Sequence, residues 1–150
     1  VLDDNDVVLV EYEGGATGCY WTSQFAIGHK NDLRVRIYGE KGSILWEQEN
    51  CEKVTMIEYD GTEVVRYRGT PGIEPGAAAY GRLPSGHTEG WLESMGNLYR
   101  SFMECVNAKK DGSFTADMID FPTVHDGAEG VKFVHACLKS NQDGNVWVEL

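Results

Sequence analysis

The sequence predicts an α+β fold, in which a mostly antiparallel open β-sheet of six or more strands is followed by two helices that pack on one of its faces. Three observations indicate this class. Six short segments rich in β-branched and aromatic residues precede residue 70. Most of them are joined by turns, which are too short for the crossovers that parallel neighbours require. Two longer segments after residue 88 repeat apolar residues at helical spacing.

The predicted strands pair through recognisable turns. Gly14–Gly15 and Asp60–Gly61 each separate two apolar segments, as in tight β-hairpins. Residues 33–39 alternate apolar and polar side chains, which is typical of a strand with one solvated face. The six predicted strands are 7–13, 16–25, 33–39, 43–47, 53–59 and 62–68, and residues 146–150 are predicted as a last strand.

Residues 69–87 interrupt this pattern, because they are rich in Gly and Pro and show no apolar periodicity. A connection this long in a compact domain is usually functional or disordered, and its position before a helix favours a functional loop. The helix that follows has Thr88 as a candidate N-cap, Glu89 in its first turn and Gly112 after its end. We expect its apolar stripe to pack on a core; the stripe comprises Trp91, Met95, Leu98, Tyr99, Phe102 and Val106.

A second helix is predicted to begin at Thr123, whose spacing to Asp126 resembles a capping box with Asp in place of the usual Glu. Asn141–Gly144 supply its end. Gly127 and Gly130 lower the helix propensity, so we expect them to allow close packing against the sheet or the first helix. Its apolar stripe comprises Val124, Ala128, Val131, Val134 and Leu138.

The charge and the cysteines restrict the partners and the compartment. The net charge is −11 and no Lys/Arg cluster exceeds Lys109–Lys110, so we expect neither a nucleic acid nor an anionic membrane surface as a partner. No apolar run approaches the roughly 20 residues of a membrane span, and we expect no signal peptide before Val1. The chain begins without Met, so we expect it to be a piece of a longer polypeptide, and a product trimmed of its Met stays open as the alternative. The four separated cysteines form no zinc or redox motif, and we expect them to be reduced and mostly buried in a cytoplasmic protein; they are Cys19, Cys51, Cys105 and Cys137.

His87 and Glu89 form an H-x-E pair at the entrance to the first helix. A zinc deaminase combines H-x-E with P-C-x-x-C, which this sequence lacks, so no metal site is predicted. Two interpretations stay open. In one, Glu89 serves the helix dipole and His87 is an exposed loop residue. In the other, His87 lines a cleft, where its imidazole hydrogen-bonds a substrate hydroxyl.

Three segments stand out when they are taken in order. The first runs from DDND through EYEGGATG to GHKNDLRVRIYGEKGSILWEQE, the second is RLPSGHTEGWLESMGNLYRSF, and the third is DFPTVHDGAEGVKFVHACLKS. Together they cover nearly the whole chain and resemble the C-terminal domain of the Gfo/Idh/MocA oxidoreductases, the family of glucose–fructose oxidoreductase and inositol dehydrogenase.

The resemblance implies a single domain over residues 1–150 with a dihydrodipicolinate-reductase-like fold, which binds substrate and forms dimers through its sheet. It implies a sugar, cyclitol or related polyol as the substrate, with hydride transfer at one carbon. NAD or NADP is expected on an N-terminal Rossmann domain that is absent from this chain, which has no G-x-G-x-x-G of its own. The family's catalytic lysine and acid–base pair also lie upstream, so the fragment is expected to hold no catalytic residue and to be inactive alone.

The family's Gly-His-Pro-Glu-Gly-Tyr motif is kept over residues 86–91, except that Thr88 replaces Pro and Trp91 replaces Tyr. The resemblance therefore predicts His87 as a substrate-facing hydrogen-bonding group, with Arg82 and Trp91 lining the cleft. A helix N-terminus beside it, with free N–H donors, suits polar recognition.

Two other functions stay open. The first is a non-catalytic module kept for dimerisation, because a broad amphipathic sheet needs cover. The second is a free-standing carbohydrate-binding domain, in which some of Trp21, Trp46, Trp91 and Trp147 stack on sugars instead of packing in a core.

Overall fold

The computed structural model describes residues 3–150 and confirms the α+β class, with antiparallel strands first and helices after them. Short 3₁₀ turns occupy Gln48–Asn50 and Ala116–Met118. The strands are β1 (Asn5–Glu11), β2 (Thr17–Ser23), β3 (Arg34–Gly39), β4 (Gly42–Glu47), β5 (Lys53–Glu58) and β6 (Glu63–Tyr67); the helices are α1 (Pro75–Ala78), α2 (Trp91–Asp111) and α3 (Val124–Gln142).

The strands form two sheets in the described chain instead of the single predicted one. β1 pairs with β2, and a second sheet has the order β3-β4-β5-β6, all antiparallel. Residues 24–33 join the two sheets through an irregular connection, which includes a turn where the His29 N–H donates to the Ala26 carbonyl at 3.0 Å. Both Gly28 and Asp32 have positive φ there. The chain divides into two compact units, Lys30–Phe121 and the residues up to His29 together with Pro122–Leu150. The single-domain extent stays a prediction.

The register gives the four-stranded sheet an apolar face. Directly opposed residues of antiparallel strands share a face, so Ile37, Ile44 and Met56 lie side by side across three strands. None of the residues on this face is buried, and Ile37 is 58% exposed. We call this set the apolar sheet face; it comprises Val35, Ile37, Ile44, Trp46, Val54, Met56 and Val64.

The predicted strand at residues 146–150 is wrong, because no strand forms there. The segment follows the end of α3 and is held to it instead. The Asn145 backbone N–H donates to the Ser140 carbonyl at 2.7 Å, and the Ser140 hydroxyl donates to the Val146 carbonyl at 2.7 Å. Strand-like composition is outweighed here by hydrogen bonds to the preceding helix.

Helix α2 ends as predicted but begins later. Its last turn carries Lys109 and Lys110, and Gly112 has the left-handed φ of 83° that favours glycine. The N-cap is Gly90, so Thr88 does not cap the helix and Glu89 is not in its first turn. The Glu93 carboxylate accepts the Gly90 backbone N–H at 2.8 Å and occupies that turn.

The buried face of α2 is also different from the predicted apolar stripe. The buried residues are small or polar, because loops approach the helix closely on that side: the Asn97 amide donates to the Tyr80 carbonyl at 2.8 Å and the Cys105 thiol to the Met118 carbonyl at 3.2 Å. They are Asn97, Ser101, Cys105 and Ala108. Much of the predicted stripe is exposed instead, and we call that part the outer stripe; it comprises Trp91, Leu98, Tyr99 and Phe102.

Helix α3 begins with the predicted capping box. The Asp126 carboxylate accepts hydrogen bonds from the Thr123 backbone N–H at 2.7 Å and from the Thr123 hydroxyl at 2.6 Å. The Asp126 backbone N–H in turn donates to the Thr123 hydroxyl oxygen. Within its own unit α3 does not use the glycines for close packing, since a Cβ on Gly127 or Gly130 would meet nothing within 4 Å. Val124, Val131 and Val134 of the predicted stripe are exposed as well.

The prediction that the cysteines are mostly buried holds for only one of them. Cys105 is buried, Cys51 and Cys137 are half-buried, and Cys19 is exposed; all four are free thiols. Burial raises the pKa of the Cys137 thiol.

Candidate functional site

Residues 80–90, which we call the joint, connect the short helix α1 to α2 and carry the predicted site residues His87 and Arg82. Trp91 follows as the first residue of α2. Most of the joint is exposed, but Glu89 within it is buried. The hydrogen bonds around this one buried acid determine the conformation of the segment.

Glu89 is only 5% exposed, yet its polar groups are satisfied. Its carboxylate accepts the Arg82 backbone N–H on both oxygens, at 2.8 and 3.1 Å, and forms an ion pair with Arg68. Its own backbone N–H donates to Glu52 Oε1 at 2.7 Å, and its carbonyl accepts the Cys51 thiol at 3.4 Å. A buried charge is costly unless it is paired and hydrogen-bonded, and this one is both.

Arg68, just after β6, connects the sheet to the joint. Its Nε and Nη2 donate to the two oxygens of Glu52 at 3.3 and 2.9 Å. The same guanidinium donates to two joint carbonyls, those of Leu83, at 2.8 Å, and of His87. A planar fork with five N–H donors can satisfy several acceptors at once, which an ammonium group cannot do in the same geometry.

The ionisation of these groups follows from their contacts. Hydrogen bonds from Arg68, and then from the Glu89 backbone N–H, hold the pKa of Glu52 below its usual range. The hydrogen bonds to Glu52 raise the pKa of Arg68 in turn. Both side chains are therefore charged at neutral pH, which strengthens the bonds between them.

Arg82 is tied into the interior of the same unit. Its Nε and Nη2 donate to Asn97 Oδ1 at 3.2 and 3.0 Å, and Asn97 is a buried residue of α2. Gly96 leaves room for this contact, since a Cβ there would lie 2.9 Å from Arg82 Nη2. The contacts of the Arg82 guanidinium in the structure are thus structural, and its role in lining a cleft stays a prediction.

His87 has a fixed backbone and a free side chain. Its N–H donates to the Pro84 carbonyl at 3.1 Å, and its own carbonyl accepts from Arg68. The side chain is exposed, and within residues 3–150 no hydrogen bond occupies the imidazole. Trp91 is also exposed, at 66%. The imidazole of His87 is therefore free to donate to or accept from a ligand hydroxyl.

Sequence reasoning assigned the wrong role to Glu89 and missed its partners. The interpretation that Glu89 serves the helix dipole is wrong, because α2 begins after it and the acid pairs with Arg68. Arg68 and Glu52 were not singled out, since they lie 16 residues from each other and Glu52 lies 37 from Glu89. No local spacing in the sequence links groups so far apart.

Neither a metal centre nor a membrane-spanning helix is present in residues 3–150. In that range no group of three or more His, Cys, Asp or Glu side chains could hold a metal ion. None of the helices described there is both long enough and apolar enough to cross a membrane.

Comparison with known proteins gives consistent matches over the full length of the chain. The family model described as "Oxidoreductase family, C-terminal alpha/beta domain" (GFO_IDH_MocA_C) matches residues 1–150. The uncharacterized oxidoreductase YfiI of Bacillus subtilis (strain 168) is 33% identical over 149 residues, which is 99% of this chain and 38% of that protein.

Two solved structures are similar to this chain over nearly its whole length. An oxidoreductase from Sinorhizobium meliloti has a TM-score of 0.90 and 36% identity, over 99% of this chain and 42% of its own. An inositol dehydrogenase homolog from Azotobacter vinelandii, complexed with NADH and myo-inositol, has a TM-score of 0.91 and 32% identity, over 99% and 39%. The chain thus spans about two fifths of the length of each relative.

Proposed function

Because the chain belongs to the C-terminal domain family of the Gfo/Idh/MocA oxidoreductases, we propose that it is the substrate-binding and dimerisation domain of an NAD(P)-dependent oxidoreductase. The substrate is a sugar, a cyclitol or a related polyol. The observation that carries the proposal is His87, whose unoccupied imidazole stands on a fixed backbone within the family's motif. The complex of the Azotobacter vinelandii homolog with NADH and myo-inositol supports both the cofactor and the substrate class.

The residues described here do not suit a dinucleotide. Such a cofactor binds where parallel strands end beside a glycine-rich helix start, and every strand pair in the described chain is antiparallel. In the proposal, an N-terminal Rossmann domain outside residues 1–150 binds NAD or NADP, and the fragment alone does not turn over substrate. When bound, the cofactor supplies the hydride chemistry, and this chain contributes substrate recognition.

Within that division of labour, His87 recognises a hydroxyl of the substrate. A neutral imidazole can donate from one nitrogen and accept at the other, which matches a polyol hydroxyl. A hydrogen bond of this kind is worth about 0.5–1.5 kcal/mol. Trp91 and Arg82 are the further candidates for the wall of the pocket.

The apolar sheet face supports dimerisation with a second copy. Its residues lie in register across four strands and none of them is buried. Two such faces packed together would form a sheet-on-sheet interface about 10 Å thick.

The cytoplasmic location suggested by the cysteine usage is part of the same proposal.

The test of the substrate site uses the full-length protein and compares His87→Ala with His135→Ala, an exposed histidine on α3. Reduction of NAD and NADP is first screened with sugars and cyclitols, starting with myo-inositol. We expect His87→Ala to raise the KM for the active polyol about tenfold, which corresponds to about 1.4 kcal/mol, without changing the KM for the cofactor. An unchanged KM for the polyol would remove His87 from the site.

A second candidate is a non-catalytic dimerisation module, and the open apolar sheet face favours it. Ile37→Glu places a charge on that face, whereas Tyr38→Glu places the same charge on the opposite face of the same strand. Sedimentation velocity would show monomers only for Ile37→Glu. If assembly is lost in this way while His87→Ala has normal kinetics, the second candidate replaces the first.

A further inference from the structure

We propose that Arg68 is a positioning residue for the substrate site: it fixes the backbone of the joint, and thereby places His87, while Glu52 and Glu89 hold the guanidinium in place. The inference rests on the proposed function, in which His87 contacts substrate, and adds a device that acts through it. Arg68 itself lies outside the family motif and was not among the predicted site residues.

Arg68 binds two backbone carbonyls of the joint. They belong to Leu83 and His87, two points of a segment that has no regular secondary structure of its own. Gly86, between them, has a φ of 86°, a conformation that glycine adopts without strain. A segment with such a residue has many alternative conformations, and Arg68 holds it on both sides of that residue.

Glu89 closes the joint into a loop. Its carboxylate binds the backbone N–H of Arg82 at the other end of the segment, so residues 82–89 form a closed loop. The same carboxylate pairs with Arg68, whose guanidinium also reaches the Leu83 and His87 carbonyls of that loop. One cation thus contacts the loop at three of its residues.

The joint also closely approaches the chain that follows Arg68. Gly69 has a φ of 70°, and a Cβ on it would lie 2.8 Å from the backbone N of Ser85. Because that neighbour is backbone, it could not move aside as a flexible side chain would. The joint therefore packs directly on the residue that follows Arg68 after β6. Arg68 thus lies where the sheet and the joint meet, and its hydrogen bonds fix the position of the joint relative to the sheet.

These contacts matter for recognition because a hydrogen bond to substrate tolerates little displacement. The donor and the acceptor must come within about 2.6–3.2 Å, and a misplacement of about 1 Å can reduce a rate by about 10²-fold. Lysine at position 68 keeps the positive charge but lacks the planar fork, so it cannot bind Glu52 and both carbonyls together. The sensitive variant is therefore Arg68→Lys.

The first arm of the test measures positioning without reference to catalysis. Hydrogen exchange of the full-length protein is followed by mass spectrometry for Arg68→Lys and for Arg36→Lys, an exposed arginine of β3 on the face opposite the apolar sheet face. We expect amides of residues 82–90 to exchange at least tenfold faster in Arg68→Lys only, with α3 unchanged. Equal exchange of residues 82–90 in wild type and Arg68→Lys overturns the proposal.

The second arm asks whether Arg68 acts through His87. In full-length protein, Arg68→Lys should lower kcat/KM for the active polyol about tenfold and leave the KM for the cofactor unchanged. In a His87→Ala background, the same substitution should have no further effect on kcat/KM. A full tenfold loss in both backgrounds would show that Arg68 acts independently of His87, and would overturn the proposal.

The two arms separate this inference from the proposed function. If His87→Ala leaves the kinetics intact, the proposed role of His87 fails, and the exchange arm still decides whether Arg68 fixes the joint. If Arg68→Lys does not fold, Glu52→Gln replaces it, because it weakens the hold on Arg68 and leaves both carbonyl contacts possible. Faster exchange confined to residues 82–90 in Glu52→Gln supports the proposal, and wild-type exchange there contradicts it.

Discussion

The joint and the outer stripe of α2 belong to the same unit, but their side chains are satisfied in opposite ways. In the joint, Glu89 is 5% exposed and all of its polar groups are bonded within the unit. On the outer stripe, Trp91 and Tyr99 are apolar or aromatic and each is 66% exposed. The contacts that determine the joint are thus inside residues 30–121. The outer stripe stays exposed, so contacts that would bury it have to come from elsewhere.

The small set of buried residues makes the same point. In the described chain they are five in number and all lie on or next to α2; they are Glu89, Asn97, Ser101, Cys105 and Ala108. Three of the five are polar. Folded chains of this size normally bury large apolar side chains. We therefore expect the apolar surfaces to be covered by other parts of the full-length protein or by a second copy, and the joint to need neither.

The largest effect is expected from Arg68→Met, which tests the joint side of the comparison. Removal of the cation leaves the buried Glu89 carboxylate without its ion pair, and breaking a buried pair in this way typically costs about 3–5 kcal/mol. Urea unfolding of the full-length protein measures the loss. Arg36→Met, exposed on β3 and on the face opposite the apolar sheet face, should change the free energy of unfolding by less than about 0.5 kcal/mol. Equal losses in the two variants would mean that the joint is not self-stabilised.

The next effect concerns the outer stripe and uses Tyr99→Ser. If the stripe is covered in the full-length protein, the substitution should cost about 1.5–3 kcal/mol there, and less than about 0.5 kcal/mol in residues 1–150 alone. Asn107→Ser, also exposed on α2, serves as the control and should be neutral in both. A negligible cost in the full-length protein would show that the stripe stays uncovered, and would break the comparison.

A smaller effect should appear on acidification, because Glu52 is partly exposed and its charge is screened. Its pKa is lowered in the folded protein, so its stabilising contribution is complete above the ordinary Glu pKa of about 4.3 and is lost as the pH falls through the lower folded value. The difference in unfolding free energy between wild type and Glu52→Gln should therefore be constant near neutral pH and shrink in this acidic window. A difference that grows on acidification would contradict the assigned pairing.

The smallest effect is expected from Gly96→Ala on α2. Alanine favours a helix by up to about 1 kcal/mol over glycine, but its Cβ would lie 2.9 Å from Arg82 Nη2 and push the guanidinium off Asn97. The two terms oppose each other, so we expect a net change within about 1 kcal/mol. Faster amide exchange at Arg82 with little change in the unfolding midpoint would sharpen the distinction between local order and overall stability. A gain of about 1 kcal/mol in the free energy of unfolding with unchanged exchange would mean that the Arg82 side chain moves aside without losing local order.

Local chemistry explains what the sequence analysis predicted correctly. Asp60–Gly61 turns between β5 and β6 because Gly61 adopts a φ of 87° and the Asp60 carboxylate accepts the Thr62 N–H at 2.9 Å. Thr123 and Asp126 cap α3 through contacts three residues apart. In each case the partners are neighbours in the chain, so their spacing is visible in the sequence.

Partners distant in the chain explain what was missed. The acid of the H-x-E pair was assigned to the helix dipole because its partner, Arg68, lies on another element and shares no spacing with it. Apolar periodicity correctly predicted a helix at α2. It carries no information on whether another surface covers the apolar side chains, such as Tyr99. The position of His87 on an exposed segment follows from the same distant contacts of Arg68.

The terminal strand of the four-stranded sheet has a practical consequence for the protein in solution. In the described chain, β3 lies at the end of the order β3-β4-β5-β6 and all six of its residues are exposed. Its outer backbone groups can recruit a stray strand from another molecule, which is how amyloid-like stacking begins. Arg36 opposes that outcome, since stacking identical strands in register would bring its like charges together.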